Sequence, residues 1–193
     1  MQIVNGIGVD SGGISKDYCQ ELIRYFYKRT DLWKEGITLE GENRDKKDAF
    51  QLSLKGADQE SILYQLFKDS FIRYLEDVNK NIKNWNYKSL FARGTNQVGL
   101  KLQRYIKQEG HYKAVHQERD GTFMIKRMFV VMAYLNDVED GGNTVFPYFN
   151  LSYSPGVGDV LVWPAGFPYL HYGEVPLSNN KYIATSWVEQ LEG

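Results

Sequence analysis

Apolar residues in the first third of the chain recur at helical spacing. Ile14, Tyr18, Leu22, Tyr25 and Phe26 fall three or four residues apart, with Lys16, Glu21, Arg24 and Lys28 between them, which is the stripe of an amphipathic helix. Ser15 is placed to cap it, and Asp17 puts a carboxylate in the positive first turn. A longer stripe, Ile62, Leu63, Leu66, Phe67, Tyr74, Leu75, Val78 and Ile82, predicts a second helix with Asp58 as its cap. Between them runs Gly41-Glu-Asn-Arg-Asp-Lys-Lys-Asp48, whose charge density predicts a solvated loop. From about Asn96 the pattern shortens. Met128-Phe-Val-Val-Met-Ala-Tyr-Leu135 is apolar throughout and ends at Asn136-Asp137, the pattern of a strand buried on both faces. Val160-Leu-Val-Trp163, closed by Pro164, reads the same way. Residues 181–188 alternate, with Lys181, Ile183, Thr185 and Trp187 on one face and Tyr182, Ala184, Ser186 and Val188 on the other. Short strands punctuated by Gly, Pro, Asn and Asp predict a mainly β fold with flanking helices: a jelly-roll (double-stranded β-helix, cupin-like) core, with the two helices covering one outer face. The expected organisation is one domain over 1–193, with 1–95 a helical flank carrying loops and 96–193 the jelly-roll core.

Composition narrows the function classes. The 193 residues are 42% apolar and 15% aromatic, enough for a real core and against intrinsic disorder. Lys+Arg is 23 against Asp+Glu 24, a formal net charge of −1, so the electrostatic driver of general nucleic-acid binding is missing. The longest apolar run falls well short of the ~20 residues of a membrane helix, and residues 1–10 lack the features of a secretory signal. The expectation is a soluble, cytoplasmic protein with neither nucleic acid nor membrane as partner. Cys19 is the sole cysteine, which excludes an intrachain disulfide and a Cys-based zinc site.

Candidate chemistry lies with the histidines, of which there are three: His111, His116 and His171. On a strand, residues two apart share a side, so His116 and Glu118 can present an imidazole and a carboxylate to one point. With His171 from a later strand they make two imidazoles and one carboxylate, the facial set of non-haem Fe(II) oxygenases. Asp120 shares the parity of Glu118 and competes for the carboxylate position, but Asp120-Gly121 reads as a turn, where Asp bonds its own backbone; Glu118 is the expected ligand. His111 has the opposite parity and should face away, at the surface. Lys181 begins an apolar face. Such a lysine ordinarily snorkels to solvent, and here it is also placed to meet the far carboxylate of a dicarboxylic cosubstrate.

His116-x-Glu118, His171-x-Gly173, Lys181-Tyr182 and Trp187 together resemble the signature of the prolyl 4-hydroxylase-like 2-oxoglutarate and Fe(II)-dependent dioxygenases, particularly bacterial and phage versions. Tyr134-Leu-Asn136 followed by Gly141-Gly-Asn-Thr144-Val-Phe146-Pro147 is similar to another segment of that family, as is Gly156-Val-Gly-Asp-Val-Leu-Val-Trp163-Pro164-Ala165-Gly166. The resemblance covers about residues 105–187. It implies that His116, Glu118 and His171 hold Fe(II), with no catalytic residue beyond the ligands. Lys181 would bind the C5 carboxylate of 2-oxoglutarate, with Tyr105, Tyr134 and Thr185 in the same pocket, and Arg127, Trp187 and Tyr112 would border the prime substrate. The implied reaction is hydroxylation of an unactivated C–H, best guessed as a prolyl residue in a peptide or protein, with O2 as cosubstrate and ascorbate as reductant. A carboxylate ligand also argues against the related halogenases. The chain departs from the family's pattern at Glu118, where Asp is common, and at Tyr112, four residues before the histidine rather than three, which a one-residue bulge would absorb. Arg127 has the wrong strand parity relative to Tyr134. A hydroxylase of a free small molecule, a catalytic zinc enzyme and a non-enzymatic jelly-roll binding protein stand as alternatives. The loops expected to select substrate are 89–99 and 36–55.

Overall fold

Helical and two-residue periods resolve into two helices and fifteen strands in a computed structural model that describes residues 1–38, 41–82, 84, 86–88, 94–121 and 124–191. Helix α1 (Lys16–Lys28) starts where expected: the Ser15 side chain accepts the Tyr18 N–H at 3.3 Å, and Asp17 sits in the first turn. Helix α2 (Asp58–Lys80) differs at both ends. Ala57 holds the cap position without a side-chain bond, and Asp58 is the first helical residue, where its charge still meets the helix dipole. Ile62 is 51% exposed and Ile82 lies beyond the last turn, so the buried stripe is the narrower set Leu63, Phe67, Phe71, Tyr74 and Leu75. Ile62 falls about 100° around the helix from Leu63, off the line that meets the sheet.

Strands β1 (Gln2–Val4) and β2 (Ile7–Asp10) precede α1. Between the helices come β3 (Lys34–Glu35), β4 (Ile37–Thr38), β5 (Gly41–Glu42), β6 (Lys47–Asp48) and β7 (Phe50–Ser53). After α2 follow β8 (Thr95–Tyr105), β9 (His111–His116), β10 (Arg127–Tyr134), β11 (Thr144–Phe146) and β12 (Leu151–Tyr153). The last three are β13 (Val160–Pro164), β14 (His171–Gly173) and β15 (Lys181–Gln190). An eight-stranded antiparallel sheet runs β1-β2-β13-β10-β15-β8-β7-β3, and a five-stranded one runs β12-β11-β14-β9-β6. This is the two-sheet jelly roll the strand pattern predicts, with both helices on one outer face.

Two expectations for the N-terminal half are corrected. The charged run 41–48 is not simply a solvated loop: β5 pairs with β4, β6 pairs with β9, and Lys47 is only 3% exposed. Its partner strand draws the backbone into the smaller sheet, and charge density alone does not report that. Likewise the expected substrate loop 36–55 contains the short strands β4 to β7. Of the other, 89–99, residues 89–93 lie outside the described residues and Thr95 onward is already β8.

The larger sheet is the middle layer of three. Phe129, Val131 and Ala133 of β10 pack with Leu22 and Phe26 of α1 and with Phe67 and Phe71 of α2. The alternate residues Val130, Met132 and Tyr134 face the other sheet with Phe146, Leu161, Trp163, Ile183 and Trp187. Among the described residues no helix is long and apolar enough to cross a membrane. Phe67 is fully buried between helix and sheet. Phe67→Ala should therefore lower unfolding free energy by about 3–5 kcal/mol, read as a reduced denaturant midpoint with unchanged slope.

Candidate active site

His116 ends β9, His171 opens β14, and the two are direct cross-strand partners with ring centroids 4.3 Å apart. Each ring is oriented by its own backbone. His116 Nδ1 lies 2.8 Å from the Ala114 carbonyl, and His171 Nδ1 lies 3.0 Å from that of Tyr169. A carbonyl only accepts, so both Nδ1 atoms carry the hydrogen and both Nε2 atoms present lone pairs. Glu118 follows β9, anchored by its N–H to the Ala165 carbonyl at 2.9 Å. Its Oε1 lies 3.6 Å from His116 Nε2 and 3.8 Å from His171 Nε2. Its Oε2 accepts hydrogen bonds from Trp187 Nε1 at 3.0 Å and Arg127 Nη1 at 3.2 Å. The ligand atoms of His116, Glu118 and His171 all lie within 4.8 Å of one another.

These three side chains suit a divalent cation. Ligands about 2.1 Å from an ion at right angles stand about 3 Å apart, so small rotamer adjustments would close the set. Burial pushes the Glu118 carboxyl up, but its contacts with His116 and His171 and the positive charge of Lys101 outweigh it and hold the group ionised, well below the usual range. Burial, with His116 adding to it, pushes His171 down to about 4, leaving a neutral imidazole at pH 7, the form that ligates. Asp120 is exposed and its Oδ1 accepts its neighbour Gly121's N–H at 2.8 Å, as the turn reading predicts; it only borders the cavity. His111 faces away from the cavity but is half-buried beside Asp48 of β6 rather than at the surface.

The triad opens into a cavity of about 470 Å³ between the sheets, within the size range of small-molecule sites. Along its wall β8 and β15 pair Tyr105 with Lys181, Gln103 with Ile183 and Lys101 with Thr185, all six lining it. Lys181 is 3% exposed, its Nζ 5.7 Å from the Tyr105 ring centroid and 5.2 Å from that of Tyr134, donating to the Gly142 carbonyl. Among the described residues no carboxylate lies within 4 Å of it. Burial pushes its pKa down to about 7, with Glu174 opposing. Thr185 Oγ1 donates to Gln103 Oε1 at 3.3 Å, and Gln103 Nε2 donates to the Tyr105 hydroxyl at 3.1 Å.

Tyr134 departs from its expected place. Fully buried and stacked on Tyr153 at 5.7 Å, it does not line the cavity; its hydroxyl donates to Thr144 Oγ1 at 2.5 Å, and Thr144 is the group the cavity meets. Arg127 does reach the site, because a register irregularity between Arg127 and Phe129 breaks the alternation of β10. Its guanidinium lies 3.9 Å from the Trp187 ring centroid, with Nε 3.8 Å from Glu189. Tyr112 stacks on His116 at 3.8 Å. Between Tyr112 and His116, β9 spends four residues where β14 spends two, so the offset is larger than a single-residue bulge. Lys47, Lys101, Gln103 and Thr144 also line the cavity and escape the sequence reading. Lys101 and Gln103 share the parity of Tyr105, a signal present in the sequence. Lys47 has none, hidden in its charged run.

Trp187 owes its position to Gly99. The glycine has φ +70°, and a Cβ there would come 2.7 Å from the Trp187 ring. Gly99→Ala should cost about 1–3 kcal/mol and displace the indole, seen as a changed near-ultraviolet circular dichroism band with secondary structure retained.

No family model matches the chain. Prolyl 4-hydroxylase 13 of Arabidopsis thaliana is 27% identical over 111 residues, 46% of this chain and 40% of that protein. Probable prolyl 4-hydroxylase 10 of the same plant is 31% identical over 123 residues, 49% and 43% respectively. The chain thus spans less than half the length of these curated relatives. In three dimensions it superposes on the viral collagen prolyl hydroxylase of Paramecium Bursaria Chlorella virus-1, solved as its 2-oxoglutarate complex, with a TM-score of 0.68, 18% identity and 97% of each chain covered. A Trichoplax adhaerens prolyl hydroxylase, solved with a hypoxia inducible factor peptide fragment, gives a TM-score of 0.68 at 14% identity, covering 97% of this chain and 84% of that one. Segment and fold agree: part of the chain is similar in sequence to plant prolyl 4-hydroxylases, and its jelly roll is the fold of the viral and Trichoplax prolyl hydroxylases.

Proposed function

We propose that the protein is a 2-oxoglutarate- and Fe(II)-dependent dioxygenase that hydroxylates an unactivated C–H, that of a prolyl residue in a peptide or protein being the best-supported target. One observation carries this: His116 Nε2, His171 Nε2 and Glu118 Oε1 converge at a cavity whose wall also holds the buried Lys181 ammonium, which has no carboxylate within 4 Å among the described residues. The plant relatives named prolyl 4-hydroxylase support the reaction class, and the peptide complex of the Trichoplax enzyme supports a macromolecular substrate. The whole described chain serves as one catalytic unit, with ascorbate as reductant.

Iron bound at the triad would supply O2 activation coupled to oxidative decarboxylation of 2-oxoglutarate. The residues of the chain do the rest. Lys181 meets the C5 carboxylate, with Tyr105 and Thr185 beside it and Thr144, held by Tyr134, completing the polar wall. Arg127 and Trp187 fix the Glu118 carboxylate from its outer oxygen, leaving Oε1 to face the histidines. Tyr112 buttresses His116. The reading is tested by succinate formation that requires Fe(II) and O2, together with a +16 Da shift on proline-rich peptides. Glu118→Ala should abolish both and weaken metal binding, whereas Asp120→Ala should keep them. Turnover unaffected by chelator and by anaerobic conditions would refute it.

Lys181 gives the reading a pH signature. Its pKa of about 7 lies below the ordinary 10.5, so between those values the folded protein holds fewer protons than the unfolded chain. The destabilisation from burying the ammonium is fully present below pH 7 and fades as pH rises toward 10.5. A bound carboxylate favours the ammonium, so above pH 7 the cosubstrate binds with uptake of a proton and its affinity falls as pH rises. Calorimetry in buffers of different ionisation enthalpy measures that uptake. Lys181→Ala should remove it and raise the Michaelis constant for 2-oxoglutarate about ten- to a hundredfold, the equivalent of about 1.5–3 kcal/mol.

A further inference from the structure

The cavity holds more positive charge than the proposed reaction uses. Lys47 enters it from β6, at the edge of the smaller sheet, and Lys101 from β8 in the larger one. Lys47 is 3% exposed, and its Nζ lies 4.5 Å from the Tyr112 ring centroid. Lys101 Nζ lies 4.9 Å from the ring centroid of Trp187. Among the described residues neither ammonium has a carboxylate within 4 Å. The buried path of Lys47 is built in: a Cβ on Gly36 would come 3.0 Å from its Cε. Bringing ammonium groups out of water without close counter-ions costs free energy unless an anion joins them. Burial pushes the pKa of both lysines down, that of Lys47 to about 7 with Lys101 adding to it, while the more distant Glu118 opposes the shift at each.

The expected occupants do not supply that anion. The two charges of Fe(II), the carboxylate of Glu118, the dianion of 2-oxoglutarate and the ammonium of Lys181 neutralise one another. Arg127 is matched by Glu189, and it and Trp187 already occupy the second oxygen of Glu118. Asp120 is turned to its own backbone, and Glu174 lies on the Lys181 side. Lys47 and Lys101, one from each sheet, share only the more distant pull of Glu118, itself counted against the iron, and among the described residues neither has a carboxylate partner of its own beside the aromatic rings that flank the triad.

We infer that Lys47 and Lys101 form a carboxylate subsite next to the metal centre, and that the prime substrate carries a carboxylate close to the carbon that is hydroxylated. The inference rests on the oxygenase reading for what is hydroxylated, but the subsite itself is a binding property. The carboxylate has two available sources: an acidic side chain adjoining the target residue in a peptide, or the α-carboxylate of a free amino acid.

The test is binding to the full chain under anaerobic conditions, with Fe(II) and 2-oxoglutarate present and again without them. Labelled proline peptides differing only by Glu or Gln beside the proline are compared by fluorescence anisotropy, and free L-proline is compared with L-prolinamide as competitor. The acid form of at least one pair should bind about tenfold or more tighter, with the ratio shrinking as salt is raised. Preference in the peptide pair identifies the side-chain source, and preference in the free pair identifies the α-carboxylate. Lys47→Met and Lys101→Met, which keep the apolar stem, should each bring the ratio toward one. Equal binding of acid and amide in both pairs by the unmodified protein overturns the inference without recourse to any variant, as does a preference that survives both substitutions. Acid-selective binding without 2-oxoglutarate turnover would remove the oxygenase reading and leave the subsite; turnover indifferent to the acid would do the opposite.

Discussion

Successive side chains on a strand point to opposite faces, and at β10 and β15 that single constraint organises the molecule. Phe129, Val131 and Ala133 of β10, with Ala184 and Val188 of β15, belong to the layer beneath the helices. Val130 and Met132, with Ile183 and Trp187, belong to the layer between the sheets. Each strand therefore does two jobs, and neither can be shifted by one residue without exchanging helix-facing hydrophobes for cavity-facing polar groups. Lys181 and Thr185 stay in the cavity because Ala184 and Val188 are committed to the helices.

Against this rigid frame the site collects groups that are costly to bury. The carboxylate of Glu118 is sustained by two donors on one oxygen and two imidazoles near the other. The backbone carbonyls of Ala114 and Tyr169 orient those imidazoles. The same carboxylate thus ties both sheets together, since His116 and His171 come from the smaller one and Arg127 and Trp187 from the larger. Among the described residues the lysines have no carboxylate within 4 Å and stand near aromatic rings instead, an arrangement suited to anions that arrive and leave.

Where the alternation breaks, function gathers. The irregularity between Arg127 and Phe129 turns the guanidinium toward Glu118. At Gly99 the parity of β8 changes: Val98 packs toward the cavity side while Leu100 and Leu102 pack under the helices. The unequal stretch of β9 opposite β14 lets Tyr112 lie on His116 while His116 still pairs with His171. Such irregularities re-aim single side chains without disturbing the sheet around them.

Much of this was legible in the residues. Both helices, the doubly buried strand at 128–135, the two faces of 181–188 and the jelly-roll class follow from periodicity, because burial imposes the period of the element that is buried. The meeting of His116 with Glu118 follows from spacing as well, and the turn at Asp120-Gly121 from its composition. Other features depend on contacts that no local pattern records. Lys47 sits in a run as charged as any solvated loop, and only pairing of β6 with β9 draws it inside. Tyr134 carries the right chemistry at the right parity, yet Thr144 from another strand stands between its hydroxyl and the cavity. Arg127 reads as misdirected until a bulge turns it. Local sequence determines which face a side chain prefers; register irregularities and neighbours distant along the chain decide which atoms finally share a cavity, because those are set by packing between strands rather than within one.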